Sequence, residues 1–76
     1  MILRRKGLRE ECIPKIGEAV FQLLSGPDSL GRQEFFVYWL NGEDIRGQIF
    51  FTNLKDKIEY FRTMYKTIKV VDNWIS

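Results

Sequence analysis

Two pairs of adjacent carboxylates, Glu10-Glu11 and Glu43-Asp44, and one thiol, Cys12, come nearest to catalytic chemistry in this chain. Glycosidic hydrolysis needs two carboxylates facing each other across a substrate, one of them in an apolar site that raises its pKa. Glu43-Asp44 directly follows Asn41-Gly42, a strong hairpin signal, so the pair reads as turn polarity held in water. Glu10-Glu11 reads as the solvated start of a helix or a loop. These two acids precede Cys12 and push its pKa upward, away from the thiolate that nucleophilic or redox chemistry uses. Cys12 therefore reads as a small buried apolar residue.

The chain contains no histidine, and so lacks the commonest general base and metal ligand. Zinc sites and Ser-His or Cys-His nucleophile pairs are not expected. Gly26, Gly31, Gly42 and Gly47 lack the strand-to-helix spacing of a phosphate-cradling loop and read as turn and cap residues. The expectation is a protein that is not an enzyme and carries no metal or cofactor.

Binding chemistry is better represented. Phe35, Phe36, Tyr38, Trp39, Phe50 and Phe51 crowd into seventeen of the 76 residues. The stretch reads as a hairpin, with strands at Glu34–Leu40 and Ile45–Thr52 around Asn41-Gly42. A two-residue turn at Asn41-Gly42 and a four-residue loop from Asn41 to Asp44 give the same two faces, because side chains alternate with period two. One face holds Phe36, Tyr38, Leu40, Ile45, Ile49 and Phe51 and is apolar enough to line a core. The other holds Phe35, Val37, Trp39, Arg46, Gln48, Phe50 and Thr52 and mixes large apolar groups with polar ones. This mixed face must be covered by a helix or by a partner. Gly47 suggests a bulge or the close approach of another backbone.

The elements around the hairpin follow from periodicity. Ile13, Ile16, Val20, Leu23 and Leu24 share one helical stripe, Pro14 suits a first helical turn, and Gly26-Pro27 is a stop signal. A helix near Ile13–Leu24 is the favoured reading. The competing one is a strand from Ala19 to Leu24, which would make a three-stranded meander with the hairpin. Asn53 is a good N-cap for a helix near Asn53–Lys66, with Leu54, Ile58, Phe61, Tyr65 and Ile68 along its apolar side. A closing strand near Thr67–Ile75, joining the sheet beside the hairpin, completes the expected fold. That fold is α+β: a small antiparallel sheet of three to four strands packed with two helices.

Length and composition permit one small domain over residues 1–76, with 1–11 as a basic arm. Cys12 has no partner for a disulfide, so the aromatic core must substitute for such a staple. No apolar run reaches the roughly 18 residues of a membrane span, and the opening residues lack a signal-peptide core. A cytoplasmic protein is expected. The net charge of +2 is too small for an overall field that attracts nucleic acid.

Two functions fit. The first is a protein-binding inhibitor, accessory subunit or regulator that docks through Phe35, Val37, Trp39, Arg46, Gln48 and Phe50, with homodimerisation through the same face as a variant. The second is single-stranded nucleic-acid binding, with bases stacked on the sheet aromatics and phosphates held by Arg4, Arg5, Lys6 and Arg9.

Overall fold

The computed structural model describes residues 8–72. A 3-10 turn at Glu10–Cys12 precedes β1 (Glu18–Leu23), β2 (Arg32–Asn41), β3 (Asp44–Asn53), α1 (Leu54–Arg62) and β4 (Thr67–Asp72). The four strands form one sheet in the order β3-β2-β1-β4. β1 and β2 are antiparallel, as are β2 and β3, whereas β4 runs parallel to β1. The architecture is α+β with a mixed sheet and one helix among the described residues.

The hairpin is present, with ten residues in each strand. Leu40 pairs with Ile45 and Asn41 with Asp44, so Gly42 and Glu43 form a two-residue loop. Gly42 has φ +69°. A glycine at the first central position is what a II′ hairpin turn requires. The turn is one residue later than Asn41-Gly42, while the Leu40–Ile45 pairing is the one that the Asn41-to-Asp44 alternative gives, and the faces are those expected. Nor does Gly47 make a bulge: the ladder passes through it opposite Tyr38 without interruption.

The expected helix over Ile13–Leu24 is instead strand β1, a correction with a clear physical cause. β1 lies between β2 and β4 and has apolar material on both faces. Ala19, Phe21 and Leu23 join one core, and Val20 joins the other. A strand buried on both faces is apolar at consecutive positions, so the period-two alternation disappears and helical spacings arise by coincidence. Ile16, a member of the supposed stripe, is 94% exposed. Gly17 takes φ +79°, a left-handed conformation that no helix interior accepts.

The expected second helix is real but shorter. Asn53 caps α1: its Oδ1 accepts from the backbone N–H of Lys55 at 3.0 Å and of Asp56 at 3.3 Å. Such a cap is worth about 1 kcal/mol. The helix stops at Arg62, and Thr63 bonds back to the Tyr60 carbonyl through both its backbone N–H and its hydroxyl. Leu54, Ile58, Phe61, Tyr65 and Ile68 all join the core between helix and sheet, Tyr65 from just beyond the helix and Ile68 from β4.

The closing strand is present over Thr67–Asp72, the remaining positions 73–75 of the expected strand lying outside the described residues, and it docks beside β1 rather than beside the hairpin. β1 already occupies the inner side of β2, and α1 carries the chain back across the sheet so that β4 runs parallel to β1. This parallel pair is why the sheet is mixed rather than antiparallel. The Thr67 N–H donates to the Gly17 carbonyl at 3.2 Å at the start of that ladder.

Two apolar layers result. Under α1 lie Ala19, Phe21, Leu23, Phe35 and Val37, and Phe61 packs down on them from the helix. Phe61 meets Phe21 edge-on, with centroids 5.4 Å apart, and Phe21 stacks on Phe35 at 5.6 Å. On the opposite, open face, Cys12, Val20, Tyr38 and Ile45 form a smaller cluster, with Leu8 and Ile13 packed on it.

Candidate functional site

The helix-side face of the hairpin is the one expected to meet a partner, and α1 divides its residues. Phe35 and Val37 are completely buried in the core, so neither touches anything outside the chain. Trp39 and Phe50 are half-buried at the margin, where they and Gln48 line a cleft of about 370 Å³ against Lys57, Tyr60 and Tyr65 of the helix side. The Lys57 ammonium lies 4.5 Å from the Phe50 ring centroid and 5.8 Å from that of Tyr60, so the cleft is supplied with its own cation. Arg46 extends along the same margin, its Nη2 3.7 Å from Asp44 Oδ2. The Arg46 Nε is buried with no hydrogen-bond partner among the described residues.

Arg4, Arg5 and Lys6, expected to hold phosphates, lie outside the described residues. Arg9 is described, and its Nε is 3.1 Å from Glu11 Oε1. The segment that carries it packs through Cys12 and Ile13 on the open face. Phe35, Trp39 and Phe50 lie under the helix on the other face, so the sheet itself separates Arg9 from the stacking aromatics. α1 also takes the space that stacked bases would need above Phe35.

The candidate catalytic groups sit apart. Glu43 is in the hairpin turn, and Asp44 faces Arg46. Among the described residues, no three or more Cys, Asp or Glu side chains gather as a metal site would require. Cys12 is completely buried. Burial, first, and the Glu11 carboxylate push its thiol above the usual 9.0, against the pull of Arg9 and Lys69.

A different surface emerges from the geometry. The apolar face of the hairpin, expected to line the core, is covered by the described residues only around Val20, Tyr38 and Ile45. Beyond that cover, Ile49 is 51% exposed and Phe51 is 56% exposed, with half-buried Phe36 opposite Ile49. The Arg32 guanidinium carbon is 5.3 Å from the Phe51 ring centroid. Ile49 and Phe51 belong to β3, which is an edge strand.

The register shows which backbone groups that edge presents. In a two-residue hairpin the residues flanking the loop exchange both hydrogen bonds, and every second pair does so thereafter. Asp44, Arg46, Gln48, Phe50 and Thr52 therefore turn their backbone groups toward β2. Ile45, Gly47, Ile49 and Phe51 turn theirs outward. The far side of β2 agrees, since the Glu34 carbonyl accepts the Leu24 N–H at 2.9 Å, pointing toward β1 as this alternation demands. Among the described residues nothing pairs with the outer side of β3. The strand has neither lysine nor proline, two common means of blunting an exposed edge.

Ile49 and Phe51 belong to the face that the sequence pattern assigns to the core. The available signal was the strip itself: six apolar positions on one face of a two-stranded element.

No protein-family model, curated protein or solved structure matches this chain.

Proposed function

We propose that this chain is a small non-enzymatic protein-binding module, an inhibitor, accessory subunit or regulator of a larger protein, that takes an extended segment of its partner onto the β3 edge. The observation that carries the proposal is the ten-residue outer strand, with the backbone of Ile45, Gly47, Ile49 and Phe51 turned outward beside exposed Ile49 and Phe51 side chains.

An added strand would gain affinity from main-chain hydrogen bonds and specificity from alternate side chains. Its side chains would point in turn to the two faces. One set would pack on Ile49 and Phe51. The other would meet Arg46, Gln48 and Phe50, with Trp39 beyond them. The mechanism in this reading is occlusion or scaffolding through that edge. A cytoplasmic setting belongs to the same proposal, in which the lone thiol of Cys12 needs no oxidising compartment. Among the described residues no helix is long and apolar enough to cross a membrane.

A displayed library of random extended peptides tests this reading. Selection is expected to enrich segments with apolar residues at alternate positions, and Phe51→Lys is expected to weaken their binding by at least tenfold. No enrichment, or binding unaffected by that substitution, would overturn it.

A further inference from the structure

We infer that, in the absence of such a partner, β3 pairs antiparallel with β3 of a second copy about a two-fold axis through Gln48. The inference rests on the reading of β3 as a docking edge and names one occupant for it.

The strand is self-complementary in that register. A two-fold axis perpendicular to the sheet keeps each face continuous across the join, so residues of equal parity come to lie opposite each other. Centring the axis on Gln48 overlaps nearly the whole strand, from Asp44 to Thr52. On the open face Ile45 meets the partner's Phe51, and Gly47 meets the partner's Ile49. On the helix face Asp44 meets the partner's Thr52, Arg46 meets the partner's Phe50, and the two Gln48 side chains meet at the axis.

Each opposition suits its chemistry. The half-exposed Phe51 gains an apolar cross-strand neighbour. Arg46 comes opposite the partner's Phe50, the ring that already carries Lys57, and the Asp44 beside each Arg46 offsets the two cations. The partner's Asp44 comes one diagonal step from Phe50, over which Lys57 already holds its ammonium at 4.5 Å, so opposite charges converge at both ends of the join.

Gly47 gives an independent reason. It is not a bulge, and the side chain directly across from it looks elsewhere: the Tyr38 ring stacks on Phe36 at 4.7 Å and its hydroxyl donates to Gln22 Oε1 at 2.6 Å. A mid-strand glycine thus leaves a notch on the open face, where the register sets the partner's Ile49. Moving the axis to Ile49 would instead oppose Ile45 with the partner's Asn53, whose side-chain oxygen is already committed to capping α1.

The pairing is closed: both β3 edges are consumed and an eight-stranded sheet results. Its outer edges are the two copies of β4, six residues each and carrying Lys69. Edge pairing alone buries little side-chain area, which places the dimer among weak, exchangeable associations that a better partner can displace.

Sedimentation equilibrium from low micromolar to millimolar concentration, with mild oxidation of Gln48→Cys and Ile49→Cys in a Cys12→Ala background, tests it. At the axis two Gln48 residues form a non-hydrogen-bonded pair with Cα atoms about 4.5 Å apart, within disulfide reach. The expected results are reversible dimerisation, a loss of at least tenfold in association for Phe51→Lys with unchanged circular dichroism, and a disulfide-linked dimer from Gln48→Cys in clear excess over Ile49→Cys. A monomer at every concentration, dimerisation indifferent to Phe51→Lys, or preferential linkage through Ile49→Cys would overturn the inference. A monomer that still captures alternating peptides would overturn this pairing alone and leave the docking edge standing.

Discussion

The indole of Trp39 lies 6.2 Å from the ring of Phe61, centroid to centroid, inclined at 52°. One residue comes from β2 and the other from α1. Their contact is the point at which the helix closes the sheet face that Trp39 belongs to.

Trp39 is therefore expected to be shielded by its own chain. In a Trp74→Phe variant, acrylamide should quench Trp39 well below the rate for free tryptophan, and dilution should leave that value unchanged. Quenching as fast as free tryptophan would show that α1 does not lie where it is described.

Phe61 is the centre of this shielding. Its ring contacts Phe21, Trp39, Phe50, Tyr60 and Tyr65. Phe61→Ala should cost roughly 3–5 kcal/mol. Domains typically hold about 5–15 kcal/mol, with the smallest at the low end, so this variant should keep only about 0–2 kcal/mol and begin to unfold at the lowest urea concentrations. Phe61→Leu should fold with a smaller loss. Urea denaturation followed by circular dichroism measures both.

Asp28 organises the loop between β1 and β2. Its carboxylate accepts the backbone N–H of Arg32 at 2.8 Å and of Leu30 at 2.9 Å, and it pairs with the Arg32 guanidinium at 3.0 Å. These contacts, the Arg32 backbone bond foremost, hold its pKa below the usual 3.8. A carboxylate whose folded pKa is depressed stabilises the fold above its unfolded pKa, and the contribution disappears as pH falls through the folded value. Thermal melts between neutral pH and pH about 2 should show a loss beginning near the ordinary Asp value. Asp28→Asn should flatten that acid limb and lower stability at neutral pH.

Cys12 and Tyr38 act at the other end of the pH scale. Burial raises both, from 9.0 for the thiol and from 10.0 for the phenol. A group whose folded pKa is raised gives its full stabilisation below the unfolded pKa, and the contribution is lost as pH rises toward the folded value. The melting midpoint should hold steady up to about pH 9 and then fall. Cys12→Ala should make that alkaline fall shallower. At neutral pH the native thiol should react with iodoacetamide far more slowly than the unfolded chain does.

Much of this architecture was legible in the residues. The hairpin, its two faces, the Asn53 cap, the apolar stripe of α1 and the presence of β4 all follow from local signals of period, capping and turn chemistry. The turn moved by one residue without changing any face, because Asn41 and Gly42 both tolerate turn conformations while the alternation of Phe35 to Leu40 against Ile45 to Phe51 is indifferent to that shift. β1 was not legible. Ile13, Val20, Leu23 and Leu24 satisfy a helical spacing, and nothing local says that Ala19 to Phe21 will be covered from both sides.

The amino-acid order by itself determined the hairpin, the capped helix, the absence of histidine chemistry and the surplus of aromatic surface. Each of these depends on neighbours only a few residues apart. The tertiary structure alone decided which hairpin face α1 covers, that β4 runs beside β1, and that β3 is left at the edge with Ile49 and Phe51 exposed. Those outcomes depend on competition among distant segments for the same apolar surface. One helix of nine residues can cover one face of the sheet, and the short segment around Cys12 covers only part of the other. The part of that face left uncovered among the described residues, beside the outer edge of β3, is where the proposed docking site lies.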